Sequence, residues 1–210
     1  MLARYTGVLA RLTGAALAAA LLAAGAAPAC WAQGAPPASK VEAGREKSKA
    51  CAACHGPDGN STIPGTPSLA GQPVFFTHWQ LIKFQDGRRK NEPMQPFVAS
   101  LSSDDMADLA AFYAAQKPKR RPAPLDPQKV EDGKKAAVFY QCTSCHRVHL
   151  EGHEQIPRLA GQDLDYLRKM IRAFKEKTAS DLDGTMTMAA VPLSDSDVEV
   201  LAQFCASLGE

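Results

Sequence analysis

The sequence predicts an all-α protein built from two tandem copies of one small helical unit. Three observations predict it: a five-residue motif that occurs twice, matching segments in the same order behind each copy, and apolar residues at helical rather than alternating spacing. The motif is Cys51-Ala52-Ala53-Cys54-His55, repeated as Cys142-Thr143-Ser144-Cys145-His146. Next come Pro67-Ser68-Leu69-Ala70-Gly71-Gln72 and Pro157-Arg158-Leu159-Ala160-Gly161-Gln162. Strand signals are weak throughout.

Each unit then reads as helix, motif, loop, helix, methionine loop, helix. First helices are expected over residues 42–51 and 129–142. Gly44 and Gly133 near their starts would let the last helix cross closely, although Gly133 also reads as a tolerated surface glycine. Amphipathic helices are expected over 74–85 and 164–175. The polar loops behind them hold Met94 and Met186, each seven positions before a leucine, Leu101 and Leu193. Ser102 and Ser194 are each followed three residues later by an acid, Asp105 and Asp197, a variant of the capping box. Final helices are expected over 104–116 and 195–208, with Phe112 opposite Phe204.

Residues 1–32 read as a secretory signal peptide. Arg4 and Arg11 form the basic start, residues 12–29 the apolar run, and small residues before Gln33 offer the cleavage site. Cys30 offers a lipoprotein alternative, and an uncleaved anchor is another. The remaining boundaries are a tether over 33–40, unit one over 41–117, a Pro/basic linker over 118–127 and unit two over 128–210. Prolines at 118, 122, 124 and 127 predict an extended, semi-rigid connector. Units of this size are marginal on polypeptide core alone, so a large apolar cofactor in each would supply the missing core.

C-x-x-C-H is the attachment signature of c-type haem. Two thiols three residues apart on one helical turn can each add to a vinyl group of a haem edge. The adjoining histidine then lies under the ring, where one nitrogen meets the iron. A structural zinc site would split its knuckles between two units and leave both histidines unexplained. A thioredoxin-like pair would need a βαβ context that the pattern lacks. The reading is therefore two covalent c-type haems, attached through Cys51 and Cys54 and through Cys142 and Cys145.

From about Glu42 to Leu208 the chain resembles the two-haem class I cytochromes c of the bacterial periplasm, the tandem type called c-four. The resemblance rests on both motifs, the duplicated Leu-Ala-Gly-Gln segment, Phe84-Gln85-Asp86-Gly87-Arg88 and the two Met-to-Leu-Ser segments. It implies two tandem class I cytochrome c domains. His55 and His146 become the proximal iron ligands, and the methionine loops supply the opposite ligand. Met94 is the candidate for the first haem. Met186, with Met188 as alternative, is the candidate for the second, while Met106 and Met170 read as packing. Thioether opposite imidazole favours ferrous iron and raises the potential. The resemblance also implies that a proline carbonyl orients each histidine, with Pro67 and Pro157 the repeat-matched candidates and Pro64 an alternative. His78 reads as a helix-surface or haem-edge residue, and His149 and His153, which in principle offer a bis-histidine haem, read as solvated loop. Trp79 and Phe84 read as haem packing, and Arg88 or Arg158 as propionate partners. The loop after His55 is Gly56-Pro57-Asp58-Gly59, whereas Arg147-Val148-His149 follows His146, so the second loop is expected to turn differently. Cys205, opposite Tyr113 in the repeat, reads as an inert core thiol.

A closed six-coordinate iron suits a carrier of single electrons and leaves no open position for a substrate. The expected function is a periplasmic diheme electron carrier, not an enzyme, between a respiratory complex or dehydrogenase and a terminal oxidase. The alternative is a diheme electron-accepting subunit bound tightly to a flavoprotein or other dehydrogenase. A diheme peroxidase would need one haem without its methionine. Residues 40–117, 118–126 and 127–210 carry net charges of +1, +2 and −3, so nucleic acid is not an expected partner. The dipole suits oriented, transient protein contacts, with Lys119, Arg120 and Arg121 as the basic patch. Peripheral association with the membrane is a further expectation.

Overall fold

The computed structural model describes residues 35–209. The signal-peptide reading, with Cys30 and the cleavage site, falls outside them. Among the described residues the secondary structure is helical, apart from one isolated bridge between His153 and Ile156.

The first set of helices is α1 (Ala38–Ser48), α2 (Ala52–His55), α3 (Val74–Gln85), α4 (Gln95–Val98) and α5 (Ser103–Ala114). The second set repeats it: α6 (Pro127–Phe139), α7 (Cys142–His146), α8 (Leu164–Lys175), α9 (Thr185–Ala190) and α10 (Asp195–Ser207). In each set the first helix packs on the last, α1 on α5 and α6 on α10, and the middle helix packs on the last as well. Gly44 and Gly133 explain the first crossing. A Cβ at Gly44 would lie 2.0 Å from the Asp108 carbonyl oxygen, and one at Gly133 would lie 1.9 Å from that of Val200. Both glycines are therefore required by close backbone approach, and the surface-glycine alternative for Gly133 fails. Phe112 and Phe204 occupy matching places beside them.

Both final helices start on full capping boxes, in which the side chain of Ser102 or Ser194 accepts from the backbone of Asp105 or Asp197 and the acid bonds back. The first helices differ from expectation. α1 begins at Ala38, so part of the expected tether is helical. α6 begins at Pro127, inside the expected linker. Proline at the first helical position forfeits no hydrogen bond, and Asp126 caps the helix by accepting from Gln128 N–H at 2.8 Å. The expected methionine loops also contain helix, α4 and α9.

The loop after the second motif follows the first more closely than its sequence suggests. Gly56 and Arg147 both leave their helices with positive φ, 79° and 67°. Gly59 (φ 78°) and Leu150 (φ 54°) then match again, each carbonyl accepting two backbone N–H groups, from Leu69 and Ala70 or from Leu159 and Ala160. The second unit holds the same path with side-chain-bearing residues in the left-handed region, at a local cost of roughly 1–3 kcal/mol each. Leu150, fully buried, offsets that cost through packing.

The linker is extended but tied down. Asn60 Nδ2 donates to the Lys117 carbonyl, and Lys119 N–H donates to Asn60 Oδ1 at 2.8 Å. Lys119 pairs with Asp58 and Arg121 with Asp163, both at 2.7 Å. Two members of the expected basic patch are thus ion-paired to the two units, and Arg120 remains exposed. Asp163 is a junction: it caps α8 through Tyr166 N–H, accepts from Gly65 N–H of the first unit, and holds Arg121.

Arg168 on α8 grips Glu199 on α10 through two 2.7 Å bonds. The guanidinium holds the Glu199 carboxyl down at about 2, against 4.5 for a free glutamate. A carboxylate whose folded pKa is depressed contributes stability above its unfolded pKa and loses it as pH falls through the folded value. Acidification from pH 5 to pH 2 is therefore expected to remove roughly 2 kcal/mol at this pair. Guanidinium titrations of wild type and Glu199→Gln at both pH values measure it; the pH-dependent loss should shrink in the variant, and an equal loss in both would exclude the pair as its source.

Candidate haem-binding site

Each cysteine motif forms a short helix whose final residue, His55 or His146, turns into the protein and is buried. His55 Nδ1 lies 2.9 Å from the Pro67 carbonyl oxygen, and His146 Nδ1 lies 2.9 Å from that of Pro157. A carbonyl can only accept, so Nδ1 carries the proton in both rings. Burial pushes both imidazoles below their ordinary pKa, which keeps them neutral. The unshared pair is then on Nε2, the arrangement a metal-binding histidine needs.

These histidines line one large cavity of about 930 Å³ that runs through both units. Its volume is near the top of the roughly 300–1,000 Å³ range of ligand clefts. All four motif cysteines line it, Cys51 and Cys142 partly buried and Cys54 and Cys145 exposed. Desolvation raises the Cys51 and Cys142 thiols.

Met94 and Met186 line the same cavity. Met94 is the residue preceding α4, and Met186 lies in the first turn of α9. Asp181 holds Met186 in place, accepting its N–H at 2.5 Å and the Thr187 hydroxyl at 2.9 Å. Met188 is 78% exposed and outside the lining, and Met106 is buried in the core. Met170 departs from pure packing, because it lines the cavity and its sulfur is 3.9 Å from Arg89 Nη2. His78, His149 and His153 are not among the lining residues.

The donor set fits two haems. The walls are mainly apolar, with Leu69, Leu81 and Phe84 in the first unit and Leu159, Leu167 and Phe174 in the second. The lining also carries polar groups of the kind that suit the acidic edge groups of a macrocycle. Trp79 Nε1 and Arg158 Nε are buried against the cavity without a hydrogen-bond partner, and Arg88 and Arg89 also line it. Arg88 stacks over Trp79 and Arg89 over Phe84, each 4.5 Å from the ring centre. The packing cluster confined to α5 is small, Leu109, Phe112 and Tyr113, as expected where a cofactor completes the core. Cys205 and Tyr113 occupy matching positions, their carbonyls accepting from Gly161 and Gly71 N–H. Both also line the cavity, and burial pushes the thiol and the phenol far up.

Sequence reasoning missed the docking of the two units. Gln72 and Gln162, read only as repeat markers, are buried between them and bond across. Arg89 donates to Tyr166 OH at 2.9 Å, Phe76 N–H donates to the Glu154 carbonyl at 2.9 Å, and Lys83 Nζ reaches Ser180. The only available signal was the conservation of Leu-Ala-Gly-Gln between the repeats, and it did not reveal a role.

Comparison with known proteins agrees with this geometry. The family model "Cytochrome c" matches residues 130–209, and that of "Cytochrome C oxidase, cbb3-type, subunit III" matches residues 41–112. Cytochrome c4 of Azotobacter vinelandii is 34% identical, with 79% of this chain and 88% of the relative aligned. The thiosulfate dehydrogenase electron acceptor of Thiomonas intermedia (strain K12) is 33% identical over 77% of this chain and 79% of its own. The crystal structure of reduced recombinant cytochrome c4 from Pseudomonas stutzeri superposes with a TM-score of 0.74 at 32% identity, covering 80% of this chain and 98% of that one. A duplicated cysteine–histidine motif on a duplicated helical unit, with relatives that match nearly end to end, places the chain in the cytochrome c4 family: it is a diheme electron-transfer protein with two covalently bound c-type haems.

Proposed function

We propose that the protein carries single electrons in the periplasm between a donor, a respiratory complex or dehydrogenase, and a terminal oxidase. Each unit, 41–117 and 128–210, holds one haem, with the leader at 1–32 directing export. In the first, Cys51 and Cys54 would form the thioethers and His55 and Met94 would hold the iron. In the second these roles fall to Cys142, Cys145, His146 and Met186. Bound iron supplies a one-electron couple. The protein keeps each imidazole neutral and aimed, excludes water with the apolar walls, and presents a thioether on the facing loop. Pro67 and Pro157 hold the histidine rings by their Nδ1 protons.

The observation that carries the reading is the placement of a carbonyl-oriented histidine and a methionine in the lining of one cavity, twice over. Closed axial positions suit outer-sphere electron transfer and disfavour peroxidase chemistry. A second reading, the electron-accepting subunit of a dehydrogenase, is favoured by the relatives described as thiosulfate dehydrogenase electron acceptors.

The test is haem content and ligation of untagged protein purified from a periplasmic fraction. Two haems per chain, ferric iron–thioether charge-transfer absorbance from both, and no rapid carbon monoxide binding to the reduced form are expected. One haem per chain, or one iron open to carbon monoxide, would overturn the reading. Co-purification with a flavin-bearing polypeptide would move it to the subunit.

A further inference from the structure

The contacts between the units have a symmetry that the repeat predicts but that packing alone does not demand. Gln162 Oε1 accepts from Ser68 N–H at 2.7 Å, while Gln162 Nε2 donates to the Ser68 carbonyl at 2.9 Å. Gln72 does the same in reverse: its Oε1 accepts from Arg158 N–H at 3.0 Å and its Nε2 donates to the Arg158 carbonyl at 2.9 Å. Ser68 and Arg158 are repeat equivalents, as are Gln72 and Gln162. The two glutamines are only 4% and 6% exposed.

The covalent identity of the clamped groups matters more than their number. Ser68 N–H belongs to the same peptide unit as the Pro67 carbonyl, the acceptor for His55. Arg158 N–H belongs to the same peptide unit as the Pro157 carbonyl, the acceptor for His146. Each histidine is therefore one amide group away from a glutamine of the opposite unit. An amide whose N–H donates to a good acceptor becomes more polarised, and its carbonyl oxygen becomes a better acceptor in turn. A stronger hydrogen bond at Nδ1 makes the ring more basic at Nε2 and tunes the metal behind it.

We propose that Gln72 and Gln162 are positioning residues that act crosswise, Gln162 tuning the haem held by His55 and Gln72 the haem held by His146. The docking of the two units thereby sets both histidine hydrogen bonds, and a movement at one unit is transmitted to the ligand of the other. This rests on the ligand assignment proposed above.

The test uses the full-length diheme protein in its reduced, diamagnetic state. Gln162→Met removes both polar atoms at nearly constant volume. The His55 Nδ1 proton, followed by NMR in 15N-histidine-labelled protein, should then exchange with solvent about twofold faster, from the loss of one polarising bond. The midpoint potential of the first haem should rise, and the His146 proton should stay at its wild-type rate. Gln72→Met should give the mirror result. Gln162→Glu keeps an acceptor for Ser68 N–H and should retain a slow His55 proton while losing the Nε2 bond. An effect on the unit that carries the substitution, equal effects on both histidines, or failure of the glutamate to restore slow exchange would overturn the proposal; equal effects on both are also what separation of the units predicts. A His55 proton without a haem ring-current shift in wild type would instead overturn the ligand assignment.

Discussion

Gly133→Ala is expected to destabilise the protein by about 2 kcal/mol or more, and Gly44→Ala by a similar amount, although alanine is the better helix former. Helix propensity alone favours alanine over glycine by about 1 kcal/mol. Against it stands a Cβ 1.9 Å from the Val200 carbonyl oxygen, or 2.0 Å from that of Asp108, where no rotamer gives relief because the obstacle is backbone. Helix α6 must move off α10, or α1 off α5, and overpacking of this kind costs about 1–3 kcal/mol or more beyond the propensity gain. The separation also disturbs the wall behind the motif, since Ala137 on α6 and Leu201 and Cys205 on α10 line the cavity. Guanidinium unfolding followed by far-ultraviolet circular dichroism measures the effect. Lys134→Ala, at an exposed position on α6, should change stability by no more than about 0.5 kcal/mol. A stabilised Gly133→Ala protein would mean that the two helices are free to separate at no cost.

The crossing was legible because a glycine inside a helical pattern has few reasons to be there. Other elements were legible for equally local reasons. Helices α3 and α8 were located to the residue, bounded by Pro73 or Asp163 before them and a polar run behind. The capping boxes placed the starts of α5 and α10 to within one residue. Errors arose where two local signals conflicted. Proline density argued for linker at Pro127, but proline is also the residue best suited to open a helix, and the preceding Asp126 decides between them. At Arg147 and Leu150 the missing glycines argued for a new turn, yet packing of the Leu150 side chain holds the old one. Polar composition argued for plain loops at the methionines, where short helices instead set the side chains toward the cavity.

The candidate site divides in the same way. The cysteines, histidines and prolines were readable from spacing and resemblance because each acts within its own unit. The glutamine clamps, the Arg121–Asp163 pair and the Lys83–Ser180 contact join residues 42–97 positions apart. No pattern within one repeat encodes such contacts. They depend on how two copies dock, a property of the assembled surface rather than of either segment. The basic linker shows the consequence: within a run that reads as a partner-binding patch, Arg121 is turned to the buried Asp163 and Lys119 to Asp58, while Arg120 stays exposed.

Met186→Ala is expected to lower the midpoint potential of the second haem sharply and to leave the first nearly unchanged. Axial ligands span about 0.8 V of haem potential, with thioether toward the upper end. Losing one thioether should therefore move the second couple by a sizeable part of that range. The same substitution should open the second iron to carbon monoxide when reduced and to cyanide when oxidised. Met188→Ala, two residues away, should do neither, because its side chain stands 78% exposed outside the cavity. Potentiometry of both variants with optical detection separates the two methionines. Asp181→Ala supplies an intermediate case: it removes the acceptor that holds Met186 N–H and the Thr187 hydroxyl, so the thioether is retained but less firmly held. Its charge-transfer absorbance should persist at neutral pH and disappear under milder denaturant than in wild type. The opposite pattern, with Met188→Ala losing the thioether absorbance and Met186→Ala keeping it, would require helix α9 to rotate by about half a turn on binding haem. Ala190, buried without exposure on the same helix, opposes such a rotation, because it would carry the residue that anchors α9 to the core out into solvent.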